Sequence, residues 1–233
     1  MDGRKALNVQ KGPSMKRKTT REVFDAWAQD DHADGMERHH APRVMRALEL
    51  MPSPEGDYLE IGVGNGYALW RMATGPYAGR RCHGIDVSPH MIRKAREKVG
   101  ELDNVRLEAA DFMDWTPPTD LRPGMIFSME VFYYLPDIQA GIDRAASLLR
   151  PAGLLAVLVN HYREHEASHA WPEQLNTPMQ LWSAEQYRNA FERAGFHEIE
   201  QRRIQAGVSE SPDDPGTLAT WGRTNAASST DPR

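Results

Sequence analysis

An α/β fold built on a doubly wound, mostly parallel sheet is the class this sequence predicts. Three observations lead to it. Short apolar runs alternate with amphipathic helical stretches along most of the chain, which favours parallel strands joined by right-handed helical crossovers. Leu154 to Val159 is apolar throughout, as a strand buried on both faces of a parallel sheet must be. The first strand, Tyr58 to Ile61, runs into a glycine-rich bend, Gly62-Val63-Gly64-Asn65-Gly66, that opens a helix.

Composition bounds the rest. At 233 residues, with 40% apolar and 26% charged side chains, the chain suits one domain with a sizeable core. A net charge of −5 argues against a polyanion binder, so a nucleic-acid partner is not expected. The one cysteine, Cys82, excludes an internal disulfide and fits a reducing compartment. No run approaches the ~18 apolar residues of a membrane span, and the first twenty residues lack a signal-peptide core. A cytoplasmic protein, monomeric or homodimeric, is expected.

In order, Met1 to Thr20 is polar and basic with nothing to bury, and is expected to be a loose tail in which Met15 is an alternative start. Arg21 to Trp27 has helical spacing, with Thr20 as cap and Val23, Phe24 and Trp27 on one face. Gln29 to His40 reads as a polar stretch. Pro42 opens a second helix to Met51, whose stripe is Val44, Met45, Leu48 and Met51. After the glycine bend, Ala68 to Ala73 is a short helix broken at Gly75-Pro76. Arg81 to Asp86 is a second strand. Ser88 caps, and Pro89 begins, a helix with Met91, Ile92, Ala95 and Val99 inside. Strands follow at Asn104 to Ala109 and Gly124 to Met129. Asp137 caps a helix with Ile138, Ile142, Ala145 and Leu149 inward, and the apolar strand comes next.

Asn160 to Trp182 is polar, aromatic and histidine-rich without a clear period. Ser183 and Gln186 form a capping box for a helix to Ala194. Phe196 to Ile204 and Thr217 to Arg223 are strands joined without a helix, hence antiparallel neighbours. Thr224 to Arg233 is expected to be loose.

The bend carries the chemistry. Glycines let the backbone turn with positive φ and admit a ligand without a Cβ in the way, and a helix start presents N–H groups to it. An ordinary tight strand-to-helix turn is the competing reading. Glu60, two residues before the first glycine, would be costly to bury without a partner. Tyr67 stands where a dinucleotide-binding fingerprint wants its third glycine. Together these residues resemble the first motif of class I S-adenosylmethionine-dependent methyltransferases.

The resemblance spans about residues 57 to 160 and implies a seven-stranded Rossmann-like sheet with an antiparallel C-terminal hairpin and an N-terminal helical flap. Composition and patterning divide the chain into a disordered basic tail (1–20), one domain (21–223) and a second disordered tail (224–233). Within the domain the resemblance implies a helical cap (21–55), a cofactor core (57–160) and a substrate-side insertion (161–182). The cofactor it implies is S-adenosyl-L-methionine. Glu60 would face the ammonium and Gly62, Gly64 and Gly66 would wrap the methionine part. Asp86 would take the ribose hydroxyls, Val87 would also bind the cofactor, and Asp111 and Phe112 would take the adenine. Met129 and Glu130 would lie beside the adenosine and methionine portions, and His90 or Met91 would border the adenine. The Asn/Asp-Pro-Pro-aromatic motif of nucleic-acid amine methyltransferases is absent, because Ser128-Met129-Glu130-Val131-Phe132 stands there.

A small-molecule acceptor is the favoured substrate. Its pocket would draw on Glu37, Tyr133, Tyr134, Tyr162, His169 and Trp171, and His40, His161 and Glu130 are the candidate bases. His161, His165 and His169 would share a helical face, yet no metal site is assigned to them. A NAD- or nucleotide-sugar-binding Rossmann enzyme and a non-catalytic cofactor-binding module are the competing readings.

Overall fold

A computed structural model of the chain describes residues 16–29, 32–206 and 214–226. The seven strands are β1 Asp57–Ile61, β2 Cys82–Asp86, β3 Val105–Ala109, β4 Pro123–Met129, β5 Leu154–Val159, β6 His197–Ile204 and β7 Thr217–Arg223. They form one sheet in the order β3-β2-β1-β4-β5-β7-β6. The first five strands are parallel, and β7 inserts antiparallel between β5 and β6. The doubly wound sheet and its C-terminal hairpin are therefore as expected. Strand order reverses between β1 and β4.

The helices α1 Thr20–Trp27, α2 His32–Leu50, α3 Tyr67–Thr74 and α4 Pro89–Val99 precede or surround β1 and β2; α5 Ile138–Leu148, α6 Trp171–Gln174 and α7 Ala184–Arg193 follow β4. Alternation along each strand divides the core into two layers. Tyr58, Phe127 and Ala156 meet Val44, Leu69 and Ile92 on one face. Leu59, Ile126 and Leu155 meet Ile142, Ala190 and Phe191 on the other.

Four boundaries differ from expectation. Thr19 rather than Thr20 caps α1, because Glu22 stands three residues on and its carboxylate accepts the Thr19 N–H at 2.7 Å; Val23, three on from Thr20, has no group to do so. The helix expected to open at Pro42 begins at His32 and carries Pro42 inside it. Glu37, His40, Val44, Ala47 and Met51 recur at spacings of three and four, so one face runs unbroken through the proline. Residues 16–18, expected in the loose tail, are tied to the stretch after α6: the Lys18 N–H donates to the Asn176 carbonyl at 2.8 Å. The Lys16 and Lys18 carbonyls in turn accept from Asn176 and Thr177 at 3.1 Å. At the other end Thr224 exchanges hydrogen bonds with Gly153. The remainder of both expected tails, Met15 included, lies outside the described residues. None of the described helices is long and apolar enough to cross a membrane.

Candidate active site

At the end of β1 the chain turns on Gly62 and Gly64, with φ of 73° and 54°. A Cβ on Gly62 would stand 2.1 Å from Val131 Cγ2, whereas one on Gly64 would meet nothing within 4 Å. Gly62 is therefore required by packing, and Gly64 leaves bare backbone open to a cleft. Gly66 does not line that cleft: its missing Cβ allows α3 to approach Ala95, whose Cα would lie 3.0 Å away. The expected contact of Gly66 with a ligand is corrected to helix packing.

The cleft, open to solvent, spans about 1070 Å³ at the carboxyl ends of the strands, where strand order reverses. Ligands of open α/β sheets bind at that position. Glu60, Asp86 and Asp111 all line it, as do Val87, Phe112 and Met129. Asp86 ends β2 and is held by two backbone donors, Ser88 N–H to Oδ1 at 2.8 Å and Gly64 N–H to Oδ2 at 2.9 Å. Burial still raises its pKa to about 6 against those bonds, and the nearby Asp25 adds to the rise. Glu60 accepts one hydrogen bond, from the Tyr58 hydroxyl at 2.9 Å. Burial lifts its pKa to about 8, and the Asp86 charge pushes the same way. Among the described residues, no lysine or arginine lines the cleft. Two buried acids without a cationic partner make a site that a bound cation would complete.

Asp111 is exposed at the cleft rim, where its carboxylate caps the following turn by accepting the Met113 N–H at 2.9 Å. Met91 borders the cleft, while His90 points to Gln29, 3.2 Å away, and does not.

A second cavity of about 630 Å³ shares Phe24, His40, Glu130 and Tyr134 with the first. Trp27 from α1, Tyr133 from the turn after β4, and Trp171, Gln174 and Leu175 from the α6 segment complete its walls. Glu130 stands at the junction. It has a left-handed backbone (φ 61°), accepts the Tyr133 hydroxyl at 3.0 Å and is bonded by the Asn160 N–H. It is half-buried at the wall of both cavities, and burial raises its pKa to about 7. His40 goes the opposite way: burial first, then the Arg43 and His39 charges, lower it to about 4.

Three expected site residues are not brought to these walls. His161 is buried behind Tyr133 and Trp171, stacked on the Trp171 ring at 6.0 Å, with Nδ1 3.0 Å from the Ser168 carbonyl. Tyr162 is buried and donates to the Gly216 carbonyl at 2.9 Å. His169 is exposed and bonds the Arg163 carbonyl at 2.9 Å. The segment is not helical before Glu166, so the histidines do not share a face. Glu37 lines the first cavity, where its carboxylate accepts Asn65 Nδ2 at 2.6 Å and pairs with Lys98, and does not line the second.

Sequence reasoning missed Asn65, Phe24 and Trp27 as wall or loop-locking residues. The pair Phe24 and Trp27 was visible as an apolar face with no assigned partner. Asn65, between two glycines, was hidden among turn residues.

This geometry has known counterparts. A family model described as a methyltransferase domain matches residues 33–201. The chain belongs to the class I S-adenosylmethionine-dependent methyltransferase family. A chain in the complex between the Haloferax volcanii Trm112 methyltransferase activator and a methyltransferase superposes with a TM-score of 0.79 at 32% identity, covering 91% of this chain and 100% of that one. The N-methyltransferase NodS of Bradyrhizobium japonicum, solved with S-adenosyl-L-homocysteine, shares the fold at a TM-score of 0.71 and 20% identity, covering 89% and 99%. The 27-O-demethylrifamycin SV methyltransferase of Amycolatopsis mediterranei is 31% identical over 132 residues, 55% of this chain and 47% of that protein. Trans-aconitate 2-methyltransferase of Variovorax paradoxus is 30% identical over 131 residues, 54% and 49%. The chain thus spans about half the length of these curated relatives. S-adenosylmethionine is the cofactor of the family. The residues present fit it: a bare loop at Gly64 and an acid-lined cleft with no lysine or arginine among its described lining residues.

Proposed function

We propose that this chain transfers a methyl group from S-adenosylmethionine to a small-molecule acceptor held in the aromatic second cavity. The observation that carries the reading is the convergence of Glu60, Asp86 and Asp111 with bare backbone at Gly64 on one cleft, which opens into a second cavity at Glu130.

Glu60 would hold the ammonium, Asp86 the ribose hydroxyls, and Asp111 with the Phe112 backbone the adenine. When bound, the sulfonium supplies an electrophilic methyl carbon. Everything else is positioning. The two backbone N–H groups that grip Asp86 fix its carboxylate plane, and Glu37 bridges α2 to the glycine loop through Asn65. Orientation of this kind contributes on the order of 7–11 kcal/mol to a bimolecular displacement. Glu130 would take a proton from an acceptor, and its pKa of about 7 suits that near neutrality.

Calorimetry tests the reading. S-adenosylmethionine should bind while NAD gives no heat, and Asp86→Ala should weaken the former by at least about tenfold. Undiminished affinity in that variant would remove Asp86 from the site.

A further inference from the structure

The second cavity has a chemical character of its own. Five of its lining side chains are aromatic: Phe24, Trp27, Tyr133, Tyr134 and Trp171. They touch in series rather than singly. Trp27 meets Phe24 edge-on at 5.3 Å, Phe24 meets Tyr134 at 5.4 Å, and Tyr134 meets Tyr133 at 4.5 Å. His161 then bridges Tyr133 to Trp171 at 5.3 and 6.0 Å. Among the described residues one carboxylate, Glu130, reaches the cavity, and no lysine or arginine lines it. Arg43, whose charge acts on both Glu130 and His40, is engaged by Asp214 at 2.6 Å. His40 is the remaining basic group on the wall and stays neutral at pH 7.

An anionic acceptor entering here would lose its hydration against ring faces and an acid, with no cation to receive it. An ammonium meets the opposite surroundings, since ring faces attract cations and Glu130 supplies the counter-charge. We propose that the methyl acceptor is an amine, bound as an ammonium between the aromatic walls with Glu130 at its charged end. The inference rests on the methyl-transfer reading and narrows it. It also separates this chain from the trans-aconitate 2-methyltransferase relatives, whose named substrate is a carboxylate.

The step balances. The ammonium gives one proton to the Glu130 carboxylate. The freed nitrogen lone pair forms the N–CH3 bond as the S–CH3 bond breaks, and that bond's electron pair returns to sulfur, leaving a neutral thioether and a methylated ammonium. Tyr133, donating to Glu130 Oε2 at 3.0 Å, steadies the carboxylate that receives the proton.

The test uses the full chain and two unreactive probes of similar shape, phenyltrimethylammonium and benzoate. Binding is followed by tryptophan fluorescence, which Trp27 and Trp171 report, with S-adenosylhomocysteine binding measured separately by calorimetry. Phenyltrimethylammonium should bind at least about tenfold more tightly than benzoate. Trp171→Leu and Glu130→Gln should each reduce that affinity about fivefold or more. S-adenosylhomocysteine affinity should stay at the wild-type value in Trp171→Leu, which shows the variant folded. Equal or tighter binding of benzoate, failure of both probes to bind, or indifference to Trp171→Leu would overturn the proposal. Loss of S-adenosylhomocysteine binding in the wild-type chain, with ammonium binding retained, would instead remove the methyl-transfer reading and leave the ammonium site standing.

Discussion

A carboxyl held near pKa 8, as burial holds Glu60, stores free energy that depends on pH. Its ordinary value is 4.5, so between pH 4.5 and about 8 the folded chain binds more protons than the unfolded one. Stability from this group is complete below pH 4.5 and is lost as pH rises through 8. Glu60→Gln removes the dependence while keeping an oxygen for the Tyr58 hydroxyl. The variant should melt several degrees above wild type at pH 8 and show no such gain at pH 4.5, and thermal denaturation at the two pH values checks this. The same carboxyl links protons to ligand: an ammonium beside Glu60 favours its charged form, so cofactor binding at pH 7 should release protons. Calorimetry in buffers of differing ionisation enthalpy reads that release directly, and a binding heat independent of buffer would count against Glu60 facing the ammonium. Glu130 offers a third test. The Tyr133 hydrogen bond lowers its pKa, so Tyr133→Phe should move its titration above 7, by on the order of one unit, as read from the carboxyl carbon resonance.

At the scale of elements, α2 does more than its sequence announced. One face begins with Glu37 and His40 on the cleft and continues as Val44, Ala47 and Met51 in the core. Because Glu37 bonds Asn65 and Lys98, the helix that covers the cleft also braces the glycine loop. Asn65→Ala should therefore lower cofactor affinity by at least roughly tenfold, about the worth of one hydrogen bond to a charged group; calorimetry measures it. Pro42 explains why this helix was read short. A proline is usually a start signal, and inside a helix it removes a hydrogen bond at a cost of about 3 kcal/mol or more, so local rules place the boundary there and tertiary packing overrides them. The strands and the glycine bend were legible because apolar runs and glycine spacing are local signals. Ser88, Asp137 and Ser183 were legible as caps for the same reason. Residues 160–182 were not, because their positions are set by distant partners. The Arg163 N–H, for example, donates to the Trp182 carbonyl at 2.9 Å, and nothing in the spacing of the histidines records that turn.

At the scale of the molecule, the second cavity exists because two segments far apart in sequence meet above the sheet. Residues 16–18 join 176–177 through backbone and side-chain hydrogen bonds, and α1 settles on α4 through Ala28 against Met91 and Ser88 Oγ on Asp25 at 2.6 Å. Those contacts hold Phe24 and Trp27 opposite Trp171 and Leu175. The strap carries little apolar area, so its hydrogen bonds decide whether it stays down. Thr177→Val removes a buried hydroxyl without changing the shape of the side chain, and Asn176→Asp deletes the donor to Lys16 while tolerating the positive φ of 50° at that position. In the double variant, trypsin should cut after Lys18 and Arg21 several-fold faster than in wild type, with the melting temperature of the sheet unchanged. If cleavage is no faster, other contacts hold α1 over the cavity; if the melting temperature falls together with it, the strap is part of the core rather than a cover laid upon it.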